Sequence, residues 1–235
     1  MIKKLADILF KPFLLIRDRF VERRLDAVGE EERFTLIYKA GYWKGLGRGS
    51  LSGSGSSLES TESIRVALPE MLRRLDIQSM LDVPCGDWHW MSRVALGGVQ
   101  YIGADIVDDL VRANQRKFGS ANREFRKLNL IADQLPKVDL IFVRDCLVHL
   151  TEEQIIDCLR NIVRSESKYF ATTTFVDTVA NVAPTLKDRW RAINMTLPPF
   201  NLPEPLELLN DDCNANPADQ YKRMGLWRIE DLKGI

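Results

Sequence analysis

The stretch SMLDVPCGDWHWM, residues 79–91, decides the fold. An apolar strand, Ser79 to Val83, runs into an acid-flanked glycine turn, and the pattern then predicts a helix from about Trp88. In open parallel sheets, ligands sit outside the carboxyl ends of the strands, and the first strand-to-helix turn usually carries the contact. Here that turn is Asp82-Val83-Pro84-Cys85-Gly86-Asp87. Gly86 lacks the side chain that would fill the ligand's space, although a tight turn without any ligand would use a glycine equally well.

Working outward, the pattern alternates. Upstream, Ser56 and Glu59 can form a capping box ahead of a helix whose apolar face is Ile64, Leu68, Met71, Leu72 and Leu75, with Pro69 inside it. Downstream come a strand Gln100–Ala104, a helix Asp109–Phe118, strands Glu124–Leu128 and Val138–Val143, a helix Glu152–Val163 and a strand Lys168–Thr174. Short strands at Leu206–Leu209 and Leu226–Ile229 would complete the far edge. Such alternation predicts an α/β protein with a Rossmann-like, doubly wound, mostly parallel sheet, preceded by an N-terminal helical extension.

Three segments are expected: the helical extension 1–40, a Gly/Ser-rich loop or lid 41–57, and the α/β domain 58–235. The loop, GYWKGLGRGSLSGSGSS, holds six Gly and five Ser in seventeen positions and cannot pack by itself. Tyr42, Trp43 and Arg48 are costly residues for a mere spacer. Residues 1–24 carry seven Lys or Arg against three acids, with Leu5, Ile8, Leu9, Phe13, Ile16 and Phe20 at helical spacing around Pro12. That basic amphipathic face can dock on its own domain or a second subunit, or lie on a membrane surface.

The chain has 235 residues, 45% of them hydrophobic, enough for one substantial core. Its 33 basic and 33 acidic residues balance, so no broad field draws in a nucleic-acid backbone. Cys85, Cys146, Cys158 and Cys213 show no paired or metal-ligand spacing with each other or with His89 and His149, so no metal is expected. Without a spanning apolar run or a secretory cleavage site, a cytoplasmic protein is expected, with peripheral contact at the inner membrane face as an option for residues 1–24.

Charge discriminates among ligands for the turn. Twenty-three residues after Asp82, the second strand ends in YIGAD, where Asp105 can accept both hydroxyls of a ribose or serve as a helix N-cap. A dinucleotide would press its pyrophosphate on Asp82 and Asp87, each pairing at about 4 Å being repulsive by roughly 4 kcal/mol in a surface-like dielectric. A ligand with an ammonium and a sulfonium is attracted by the same carboxylates.

These residues resemble the class I S-adenosylmethionine-dependent methyltransferases, over roughly Ile77 to Thr174. More narrowly, LDVPCGDWHWM, YIGADIV, RDCLVHL and TTTF look like a bacterial branch associated with glycan modification. The sequence departs from the superfamily pattern at Pro84, where a glycine is usual, and at Asp87 and Trp88, where small residues are. The resemblance implies S-adenosyl-L-methionine as cofactor. Asp82, Gly86 and Asp87, with Pro84 and Cys85 in the same turn, would then hold the amino-acid moiety. Asp105 would meet the ribose, Asn129 and Leu130 the adenine edge, and Ile106 and Arg144 would also touch the cofactor.

At the next strand tip, Asp145 and His149 are four apart and would share one face of a helical turn. Either can take the proton of an acceptor hydroxyl; a packed His149 that orients the following helix is the alternative. Beyond the fifth strand, Arg189, Trp190 and Arg191 could offer a stacking face and cationic forks to a sugar bearing phosphate or carboxylate, or could simply be core and solvated residues. The reading is O-methylation of a small-molecule or glycan acceptor, with no nucleic acid involved. A nicotinamide-dependent oxidoreductase or a non-catalytic cofactor-binding subunit are the alternatives on this fold.

Overall fold

The computed structural model describes residue 25 and residues 28–43, 49–183, 190–212 and 220–234. The basic helix read over residues 1–24, Arg48, Arg189 and Cys213 lie outside the described residues.

Seven strands form one sheet: β1 (Ser79–Asp82), β2 (Gln100–Asp105), β3 (Arg123–Lys127), β4 (Leu140–Val143), β5 (Tyr169–Phe175), β6 (Glu207–Asn210) and β7 (Lys222–Arg228). Their order is β3-β2-β1-β4-β5-β7-β6. The pairs from β3 across to β5 are parallel, and β7 is antiparallel to both its neighbours, so it alone runs against the rest. Every residue of β4, Leu140-Ile141-Phe142-Val143, is buried, as a central strand covered on both faces requires.

Helices cover both faces. On one, α4 (Glu152–Arg164) lays Ile155, Leu159 and Ile162 against Ile141, Val143 and Phe170, and Ile193, Met195, Phe200 and Leu202 complete the layer. Its start is fixed by a capping box between Thr151 and Gln154. On the other face, α2 (Glu62–Arg74) buries Ile64, Leu68, Met71 and Leu72. Alongside it, α3 (Asp108–Phe118) contributes Val111 to the same cluster. α2 begins later than the sequence suggests: no side chain caps it, Thr61 holds the N-cap position, and Ser57 Oγ instead accepts from Ser60 N at 3.1 Å. No described helix is long and apolar enough to cross a membrane.

The largest departure follows β1. The helix expected from about Trp88 is replaced by turns and a 3-10 segment, Met91–Arg93. Trp88 sits at φ 54°, which no right-handed helix includes. Its buried indole instead fills the helix's volume, 4.7 Å from the Phe118 ring and 5.5 Å from Phe125.

The extension contains α1 (Glu30–Ala40), stopped by Gly41 in the left-handed region. Lys127 Nζ meets Glu31 at 2.6 Å, Lys39 Nζ meets Asp109 at 3.5 Å, and Gln154 Nε2 donates to Glu30 at 3.0 Å. α1 therefore lies across the carboxyl edge of the sheet, over the crevice at which strand order reverses. Each exposed ion pair adds little energy, but together they fix its direction.

Core tightness sets the tolerance of β2. A Cβ on Gly103 would stand 2.5 Å from the Phe125 ring, which is wedged against Trp88 and Tyr101. Gly103→Ala should therefore cost about 1–3 kcal/mol by overpacking, read as a lower urea midpoint at unchanged slope.

Candidate functional site

The crevice between the carboxyl ends of β1 and β4 opens into a cavity of about 380 Å³, the size range of small-ligand sites. Its floor is the Asp82–Gly86 turn, the end of β2 at Asp105 and Ile106, and residues 128–131. Its far wall is Arg144, Asp145, Cys146 and His149 after β4. Above lie α1 and residues 52–56 of the Gly/Ser-rich loop.

Two carboxylates belong to the floor. Asp105 ties the strand tips together: Gly86 N donates to one oxygen at 3.2 Å and Val107 N to the other at 3.0 Å. Burial pushes its carboxyl up to about 6 despite those amides. Asp82 accepts the Tyr101 hydroxyl. Burial pushes it up to about 7, against the opposing pull of Tyr101 and Arg144 and with a further push from Asp105. Among the described residues no ion pair engages either acid. A cationic or hydroxyl-bearing ligand is the partner these buried acceptors suit.

Gly86 lies in the cavity wall at φ 56°, but the atoms beside it belong to the loop. A Cβ there would meet Ser52 Oγ at 2.4 Å and Tyr38 Oη at 3.5 Å. Asp87 is absent from the wall. It latches the loop, accepting from Leu51 N at 2.6 Å, Ser50 Oγ at 3.1 Å and Ser52 Oγ at 3.3 Å, while its own N–H donates to Ser52 Oγ at 2.9 Å. The negative charge assigned to the ligand at this position is thus committed to the Leu51 amide and the Ser50 and Ser52 hydroxyls. Tyr38 Oη lies 2.8 Å from Ser52 Oγ, which joins α1 to the same latch.

The far wall is backed by a quartet of charge, in which Arg144, Asp211 and Lys222 are buried and Asp145 is partly exposed to the cavity. Arg144 Nε donates to Asp211 at 2.9 and 3.1 Å, both Arg144 terminal nitrogens donate to Gly55 O at 3.1 Å, and the guanidinium covers the Trp90 ring at 5.1 Å. Lys222 Nζ reaches Asp145 at 3.0 Å and Asp211 at 3.4 Å. Asp145 also pairs with Arg144 at 3.1 Å. Burial favours the neutral acid at Asp145, but Arg144 and Lys222 prevail and hold it down at about 2. At Asp211 burial wins and the carboxyl is raised, despite Arg144 and Lys222. An Asp145 carboxylate so committed is a poor proton acceptor.

The shared helical face expected for Asp145 and His149 is not formed. Asp145 has φ 52°, and the chain then enters a 3-10 turn, Leu147–His149. Both side chains nonetheless line the cavity, and the His149 ring is 5.1 Å from the Trp43 ring. Asn129 and Leu130 are in the wall; the Asn129 side chain accepts from Ile131 N at 2.9 Å. Trp190 also lines the cavity, edge-on to Phe175 at 5.8 Å. Arg191 does not. It is buried, and its Nη1 donates to Leu150 O at 2.7 Å and Val148 O at 3.3 Å, so it offers no fork to an anion.

The sequence reading missed Glu30, Phe34 and Tyr38 on α1, and Ser52 to Ser56, as parts of this wall. Phe34 and Tyr38 are one helical turn apart beside the flagged Trp43, a usable signal had residues 30–40 been read as part of the site. Lys222 gave no signal, since its role depends on which strand lies next to β5.

Asp82 makes stability depend on pH. Its folded value lies above the usual carboxylate value, so its contribution is full below about pH 4 and is lost as pH rises through about 7. Asp82→Asn should therefore flatten the fall in melting temperature between pH 5 and 8 that the wild type shows, with thermal unfolding at each pH as the measurement.

No family model and no curated protein matches the sequence. Solved structures do. Human N-acetylserotonin methyltransferase in complex with SAM is 15% identical over 92% of this chain and 65% of that one, with a TM-score of 0.58. The mitomycin 7-O-methyltransferase is 13% identical over 85% and 58%, with a TM-score of 0.57. Magnesium protoporphyrin IX methyltransferase from Synechocystis PCC 6803 with bound SAH is 13% identical over 96% and 99%, with a TM-score of 0.52. The chain thus spans 65% and 58% of the length of the first two. What is common at these identities is the architecture: the chain has the Rossmann-like fold of those methyltransferases.

Proposed function

We propose that this protein is an S-adenosylmethionine-dependent methyltransferase acting on a hydroxyl of a small-molecule or glycan acceptor. The observation that carries this reading is the pair of buried carboxylates, Asp82 and Asp105, in the cavity floor without an ion-pair partner among the described residues. A pyrophosphate there would meet like charge, whereas an ammonium and a ribose diol meet acceptors. The neighbours crystallised with SAM or SAH support the same ligand. Balanced overall charge, and the lack after β4 of an Asn- or Asp-Pro-Pro-aromatic signature, speak against a nucleic-acid base as acceptor.

In this reading Asp82 holds the ammonium, Asp105 the ribose hydroxyls, and Ile106, Asn129 and Leu130 the adenine, with Pro84, Cys85 and Gly86 lining the amino-acid end. When bound, the cofactor supplies a methyl carbon whose bond to the sulfonium breaks as the acceptor oxygen bonds to it, the electron pair staying on sulfur. The hydroxyl proton passes to an imidazole nitrogen of His149. The Asp145 carboxylate, held ionised by Arg144 and Lys222, lies where it would stabilise the imidazolium that forms. Arg144 closes the chamber through Gly55.

S-adenosylhomocysteine should raise the melting temperature and NAD should not, because only a ligand of the native state stabilises it. His149→Ala should lower turnover about a hundredfold with cofactor affinity retained. Stabilisation by NAD alone, or wild-type turnover in the variant, would contradict the corresponding assignment.

A further inference from the structure

The upper half of the cavity bears on the acceptor. Resting on the methyltransferase reading, we propose that the acceptor is a planar aromatic molecule carrying no anionic group, seated against Trp43.

Trp43 is the hub of a ring cluster in the cavity wall, with centroids 5.9 Å from Phe34, 5.8 Å from Tyr38 and 5.1 Å from His149. All four side chains are only partly buried, so their rings keep surface for a ligand. Flat rings offer large contact area and preferred offset or edge-on geometries to another flat ring. Cys146, Leu150 and Trp190 extend the same wall with further apolar surface.

Charge narrows the class further. Glu30, Asp82, Asp105 and Asp145 line the cavity, and among the described residues the only cation in its wall is Arg144. That guanidinium is already engaged by Asp211, Asp145 and Gly55 O. Of the two arginines suited by sequence to a phosphate, Arg191 donates to backbone carbonyls and Arg189 lies outside the described residues. An anionic acceptor would enter against this field, and a neutral arene would not. The His149–Trp43 contact then sets the imidazole at the margin of the stacking surface, where a ring hydroxyl would lie.

The test uses the full chain and four probes. S-adenosylhomocysteine is titrated first; its failure to bind would remove the methyltransferase reading itself. With it saturating, naphthol, naphtholsulfonate, methyl glucoside and glucose phosphate are compared by calorimetry. Naphthol should bind about tenfold more tightly than naphtholsulfonate, and neither sugar should bind measurably. Trp43→Ala should weaken naphthol about tenfold, Trp43→Phe should recover most of that loss, and S-adenosylhomocysteine affinity should stay within about threefold in both. Glu30→Gln, which keeps the ring wall, should strengthen naphtholsulfonate about fivefold. Binding of a sugar or of naphtholsulfonate at least as tight as that of naphthol would overturn the proposal while leaving the cofactor assignment intact. So would absent naphthol binding, or unchanged naphthol affinity in Trp43→Ala.

Discussion

The tie between two strand tips is the constraint on which the rest depends. One carboxylate, Asp105, receives the Gly86 amide from the neighbouring turn and the Val107 amide from its own. It thereby fixes how far apart β1 and β2 splay at the place where a ligand would enter. Asp82 repeats the arrangement one strand over, through the Tyr101 hydroxyl of β2. Burial makes both charges costly, and that cost is the reason the floor favours one sign of ligand.

The roof follows from the floor. Asp87 turns away from the cavity and gathers the amide and hydroxyls of residues 50–52, while Arg144 holds Gly55 from the opposite side. Residues 50–55, part of a segment whose composition resembles a linker, are thus pinned from both sides. Tyr38 and the ion pairs of α1 bring the aromatic face of that helix over the same space. Gly86 admits Ser52, so the glycine most expected to make room for a ligand makes room for the loop.

Much of the fold was legible in the sequence because apolar runs and helical stripes report burial, and burial here follows the sheet. All five parallel strands lie within a few residues of their expected positions. The failures share a cause: local pattern was overruled by tertiary packing. The stretch from about Trp88 read as a helix, yet Trp88 and Trp90 are buried from an irregular path that leaves the indoles to fill the layer. At the site, Asp82, Asp105, Asn129 and His149 line the cavity because strand ends are identifiable. Arg191 and Asp87 do not, since a charged side chain in a loop can satisfy backbone as readily as ligand. Lys222 could not be found at all without the antiparallel register that sets its strand beside β5.

That last strand has a consequence for how the molecule comes into being. β7 is the last of the described strands yet sits inside the sheet, between β5 and β6, and it carries the ammonium that pairs with the acids beside the cavity. During synthesis the parallel half can assemble while residues 222–228 are still inside the ribosome. Until they emerge, Asp145 and Asp211 lack the Lys222 ammonium, and β6 lacks the strand it pairs with. The charge balance behind the cavity is therefore complete only once translation has passed this strand, and nascent chains stalled before it lack the Lys222 ammonium.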